Sequence, residues 1–148
     1  EAQLLALESD RFVLAVHPAS PLAQRDSVAL ADLGDQPFIV YSREKVPAMH
    51  AIAHLAFRQA GIQPRVVQEI VQVPTAMGLV ESGLGVALVP SATARYVLTK
   101  VKLLPITDLP AALDIGIALA YQPATASAPV QRFVEVATEL VRAKAAAC

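Results

Sequence analysis

The stretch VPTAMGLVESGLGVALVP, residues 73–90, decides the fold. Pro74 has a fixed φ suited to a first helical turn. Ala76, Leu79 and Val80 follow at helical spacing. Gly83 can adopt the left-handed conformation just past a helix end, and Leu84 can fold back on the last turn. VALV, residues 86–89, is an apolar run of strand length. Pro90 ends it, and Ser91 can cap a further helix. Helix, glycine stop and buried strand make one α/β unit. Its helix N-terminus, near Thr75, is left free to meet a ligand.

Working outward, the same alternation recurs. An apolar run at 4–7 leads through a polar stretch into FVLAV, residues 12–16, a strand of the fully buried kind. HPASPLA, residues 17–23, is a proline-broken loop. Ser27 can cap a short helix at 28–33 that Gly34 ends. Pro37 introduces a second buried strand, FIVY at 38–41, followed by the polar turn SREK. Pro47 opens a longer helix reaching Ala60, with Met49, Ile52, Ala53, Ala56 and Ala60 on one face. Gly61 stops it, and Pro64 lies just beyond. RVVQEI, residues 65–70, is a third strand that runs into the opening stretch. A short helix is expected at 91–97, and strands at 101–106 and 113–121. Ser127 can cap a last helix with the apolar stripe Val130, Phe133, Val134, Ala137, Leu140 and Val141. The tail, 143–148, is expected to fray.

Strands alternating with helices imply a mostly parallel sheet flanked by helices, with right-handed crossovers. Ligands bind such sheets beyond the carboxyl ends of the strands. Four places qualify: residues 17–20, 41–43, 71–75 and 90–91. They are expected to converge on one rim.

Composition bounds the function. The chain has 148 residues, 55% of them hydrophobic and 17% charged, enough to bury a core. A net charge of −1 argues against a strongly basic nucleic-acid surface. The single cysteine, Cys148, cannot close an internal disulfide, which fits a reducing cytoplasm. No apolar run approaches the roughly 20 residues that span a bilayer, so no membrane partner is expected. The chain opens on Glu1 close to a strand, and upstream sequence is expected.

Four motifs stand in order over about a hundred residues. They are HP…PLA after the first buried strand, LADLGDQPFI turning into the second, AGIQP before the third, and GLVESGLGVALVP. Together they resemble the effector-binding domain of LysR-type transcriptional regulators over nearly the whole chain. The resemblance implies a Rossmann-like, periplasmic-binding-protein type II fold of two lobes, with effector held between them. Residues 1–13 would be a crossover strand from lobe one. Residues 14–112 would be lobe two, and 113–148 a crossover strand and C-terminal helix returning to lobe one. The winged helix-turn-helix, the linker helix and the first half of lobe one have no counterpart here. DNA would be reached only through that separate N-terminal domain. Apolar surface is expected where the first lobe would sit, as in a truncated product or a self-associating fragment. The resemblance also implies dimerisation through the helix at 47–60 and the strand at 65–70.

The candidate effector-binding residues are Ser42, Arg43, Val73, Pro74, Thr75 and His17. Thr75 and the amides near Pro74 form a ready anion site, although Thr75 can equally serve only to cap its own helix. Ser42 and Arg43 can hold a carboxylate, or form an ordinary solvated turn with Arg43 in bulk water. Val73, Pro74 and Met77 offer apolar walls. His17, within its HP turn, is expected to shape the loop or to touch ligand. His50 and His54 have zinc-compatible spacing but no third ligand, so a solvated or dimer-facing surface is the expectation and no metal is assigned. No nucleophile elbow, Walker loop or dinucleotide fingerprint occurs, so no catalytic residue and no cofactor are assigned. The resulting reading is a ligand-sensing part of a LysR-type regulator for a small organic acid, aromatic acids included. The alternatives are a solute-binding protein of a transport system on the same fold and, more remotely, an enzyme on a bilobal scaffold.

Overall fold

The computed structural model describes residues 1–95 and 99–146, so Val97, the expected end of one short helix, and Cys148 lie outside the described residues. The strands are β1 (Gln3–Asp10), β2 (Phe12–Val16), β3 (Pro37–Tyr41), β4 (Arg65–Ile70), β5 (Val86–Pro90), β6 (Lys102–Pro105) and β7 (Ile115–Tyr121). The helices are α1 (Pro47–Gln59), α2 (Val73–Glu81) and α3 (Ala128–Ala146). The chain divides into two units, Arg11–Ile115 and the pair of segments Glu1–Asp10 and Gly116–Cys148.

The larger unit holds a five-stranded sheet in the order β4-β3-β5-β2-β6. β3 pairs parallel with β4 on one side and with β5 on the other. β2 pairs antiparallel with both β5 and β6. β6 therefore points the same way as β5, so β3, β4, β5 and β6 run together and β2 alone opposes them. The chain leaves β3 for β4 through α1, then returns past β3 to β5 through α2. Right-handed crossovers made in opposite directions leave their helices on opposite faces of the sheet. Ala53, Ala56 and Phe57 are the buried side of α1, and Ala76, Met77 and Val80 that of α2. Phe57 meets Phe38 of β3 edge-on at 4.9 Å, a pairing worth about 0.5–1.5 kcal/mol beyond its buried area.

The glycine stops act where their φ demands it. Gly83 has φ 82° and Gly61 has φ 72°. After α2, the Leu84 amide reaches back to the Leu79 carbonyl at 3.1 Å and the Gly83 amide to Val80 at 3.0 Å. These bonds satisfy carbonyls that the helix end would otherwise orphan.

Two expectations are corrected here. The segment at 28–33 is only a 3-10 turn, Leu30–Leu33, and Ser27 does not cap it: the residue before it is Ala29, with no side-chain cap. Asp108 does that work from far along the chain, accepting the Leu30 and Ala31 amides at 2.6 and 2.9 Å. The four rim segments also do not all converge. Because β2 is reversed, its first residue Phe12 lies opposite Pro90 at the carboxyl end of β5. Its last residue, Val16, and therefore the segment at 17–20, is at the other edge of the sheet.

In the smaller unit β1 pairs with β7, and α3 packs on β1. Tyr121 donates to Gln3 Oε1 at 3.1 Å, and Lys144 pairs with Glu8 at 3.0 Å. None of the described residues of this unit is buried. Two strands and one helix cannot enclose a core alone. The apolar stripe of α3 is accordingly open, with Phe133 61% and Leu140 65% exposed.

Candidate functional site

The carboxyl ends of β3, β4 and β5 form one rim of the larger unit. At its centre the chain leaves β3 through Tyr41 and Ser42. The Ser42 amide donates to the Ile70 carbonyl at 2.8 Å, so the exits of β3 and β4 are tied together. Two residues after Ile70 comes Gln72, the N-cap of α2, in extended conformation and with no side-chain cap bond. Val73, Pro74 and Thr75 are the first three helical residues. Pro74 has no N–H, and the first intrahelical bond of this end is made by Ala76, to Gln72. The Val73 and Thr75 amides thus have no acceptor within the helix, and no acidic residue stands in the first turn. They offer two donors and the positive end of the helix dipole to an anion. Thr75 is not the capping residue, because Gln72 occupies that position.

Pro74 and Thr75 are exposed, Val73 is half-buried, and Ser42 is 8% exposed. The arrangement is a small apolar and hydroxylic surface around free amides. Its chemistry suits a carboxylate joined to an apolar body. Met77, read from the sequence as a third apolar wall, is instead 2% exposed and belongs to the core face of α2.

Two sequence candidates are placed elsewhere. Arg43 is exposed and lines a different pocket with His50, His54 and Arg58 on the outer side of α1. His17, at the opposite edge of the sheet, serves its own turn. Its Nδ1 accepts the Ala19 amide at 3.1 Å, and its carbonyl accepts the Ser20 amide at 2.9 Å. The histidine pair on α1 stacks at 5.7 Å, and no group of three or more metal-binding side chains occurs among the described residues.

Two residues of the rim escaped sequence reasoning. Arg11 precedes the reversed β2 and so arrives beside the exit of β5, where its carbonyl accepts the Ser91 amide at 2.9 Å. Its guanidinium donates to the Leu109 carbonyl at 2.8 Å. Thr93, in the 3-10 turn Ser91–Arg95 after β5, is fully buried, and its Oγ1 has no hydrogen-bond partner among the described residues. A threonine in a polar turn carries no sequence signal that would single it out.

A family model described as the LysR substrate binding domain matches residues 1–142. The HTH-type transcriptional regulator BenM of Acinetobacter baylyi is 32% identical over 115 residues, covering 76% of this chain and 38% of BenM. Among solved structures, the BenM effector binding domain with its effector benzoate aligns with TM-score 0.79 and 25% identity, covering 97% of this chain and 65% of that one. The effector binding domain of QuiR in complex with shikimate aligns with TM-score 0.74 and 26% identity, covering 95% and 66%. The chain spans less than half the length of the curated relatives it matches.

Proposed function

Because the chain belongs to the LysR substrate binding domain family, we propose that it is the ligand-sensing part of a transcriptional regulator and that its effector is a small organic acid. The α/β architecture is the periplasmic-binding-protein type II-like fold of LysR effector-binding domains. The relatives are transcriptional regulators, so neither the enzyme nor the transport reading is carried forward.

One observation carries the choice of ligand: the uncapped start of α2 beside Ser42, at the carboxyl ends of parallel strands. In this reading the Val73 and Thr75 amides and the Ser42 hydroxyl take the carboxylate. Val73 and Pro74 meet the carbon skeleton. The two ligands named for the structural relatives, benzoate and shikimate, are both six-membered-ring carboxylates, which supports an acid with a ring. Arg43 and His17, candidates from the sequence, have less support, because one faces the outside of α1 and the other stands at the far edge of the sheet. Residues 14–112 act as the sensing lobe, flanked by 1–13 and 113–148.

The effector works by favouring one arrangement of the regulator over another, since a ligand shifts an equilibrium only by its differential affinity. DNA is read in this proposal by a separate domain. Self-association uses α1 with β4, where Leu55 and Val66 are 40% and 50% exposed. Sedimentation tests that part, with a strict monomer counting against it. The ligand is tested by calorimetry with benzoate, shikimate and aliphatic dicarboxylates. Saturable binding of a ring acid is expected. Silence toward every acid, with tight binding of a sugar or an amine, would overturn the reading.

A further inference from the structure

We propose that the outer face of α1 carries an anion-binding pocket, formed by Arg43, His50, His54 and Arg58, for a compact oxyanion with two or more negative charges. Phosphate esters and di- or tricarboxylates share that chemistry. The inference does not rest on the effector site at the start of α2.

The pocket has a volume of about 520 Å³, within the usual range for small-molecule sites. Arg43 enters it from the turn after β3. Residues 50, 54 and 58 enter from one stripe of α1, four residues apart, so their side chains are surface neighbours. Ala51 and Leu55 complete the lining, and no Asp or Glu contributes to it. Neither guanidinium makes a hydrogen bond or ion pair among the described residues. Some exposed cations are matched, as Lys144 is by Glu8 and Arg132 by Glu135, while others, such as Arg25 and Arg65, stand without a side-chain partner among the described residues as these two do. The chain as a whole carries a net charge of −1, so this is a local concentration of cationic groups on a slightly acidic protein.

The histidines are already ordered. His50 Nδ1 lies 2.8 Å from the Tyr41 carbonyl. A carbonyl only accepts, so Nδ1 carries the hydrogen, and Nε2 donates to an oxyanion only in the doubly protonated ring. The His54 ring stacks on His50 at 5.7 Å with the planes 8° apart. Two histidines at this spacing also suit a divalent cation. The flanking guanidiniums oppose one, while presenting fork-shaped donors that match carboxylate and phosphate oxygens.

The test is calorimetric titration of the full chain with inorganic phosphate and with citrate, in chloride buffer at fixed ionic strength. Self-association as proposed uses the same helix, Leu55 included, so the protein is held at a concentration where sedimentation gives the monomer, in which this face is open. Saturable binding of either ion supports the pocket, and preference for one identifies phosphoryl or polycarboxylate ligands. The Arg43→Gln/Arg58→Gln double variant should bind at least about tenfold more weakly, while Arg25→Gln, outside the pocket, binds as wild type. Circular dichroism shows whether the double variant keeps its helices; if it does not, Arg58→Gln alone is used, with a smaller loss expected. The proposal is overturned if neither ion saturates the protein, or if a well-folded variant binds unchanged. It is also overturned if Zn²⁺ binds through the histidines while phosphate and citrate do not.

Discussion

The Ser42 amide donates to the Ile70 carbonyl at 2.8 Å, and this bond sets the exit of β3 against the exit of β4. α2 starts three residues after Ile70, so the exit of β3 and the start of α2 are tied together by backbone alone. Ser42→Ala leaves that backbone bond in place and removes one donor to the proposed carboxylate. Loss of about 1 kcal/mol, near fivefold in affinity for a ring acid, is expected by calorimetry, with an unchanged melting midpoint. Full affinity in the variant would remove Ser42 from the site.

His17→Ala should leave ring-acid affinity at the wild-type value. The residue ends up at the opposite edge of the sheet because β2 opposes its neighbours. A clear loss of affinity, measured in the same titration, would show that His17 reaches ligand.

Asp108→Ala removes the acceptor of the Leu30 and Ala31 amides. Destabilisation of about 1–2 kcal/mol is expected in urea unfolding, as for other lost caps. Ser27→Ala, by contrast, should be close to neutral, because Ser27 makes no cap here.

Two glycines flanking Leu84 should fail for different reasons. Gly83→Ala forces a side chain into φ 82°, costing about 1 kcal/mol. Gly85→Ala drives a Cβ against the Pro37 backbone carbonyl and should cost more, about 1–3 kcal/mol, since β3 must move aside. Equal midpoints for the two variants in urea would contradict this ordering.

Hydrogen exchange should separate the two units. β3 and β5 are strands whose side chains are largely buried, whereas β1 and, after Ile115, β7 belong to a unit with no buried residue among those described. Amides of β1 and β7 should exchange through smaller local openings, and so faster, than those of β3 and β5. Uniform protection across all four strands would rule this out.

Much of the architecture is written locally. The end of α2 needs Gly83, the end of α1 needs Gly61, and prolines open both helices. The order HP, PFI, AG and GLGVALVP is also a sequence property, and it is enough to recognise the family. The orphan amides at the start of α2, on which the proposed carboxylate site rests, are legible too, because they follow from helix geometry alone.

Tertiary structure decided what periodicity cannot encode. FVLAV is apolar at every position, and a strand buried on both faces reads the same whichever way it runs. Only its pairing with β5 shows that β2 is reversed, which takes His17 from the rim and brings Arg11 to it. Asp108 caps a turn some 78 residues away, a contact no local pattern announces. The stretch at 73–90 therefore determined its own helix, stop and strand. Which residues stand beside it depended on strand direction and long-range hydrogen bonds, and these exist only once the chain has closed on itself.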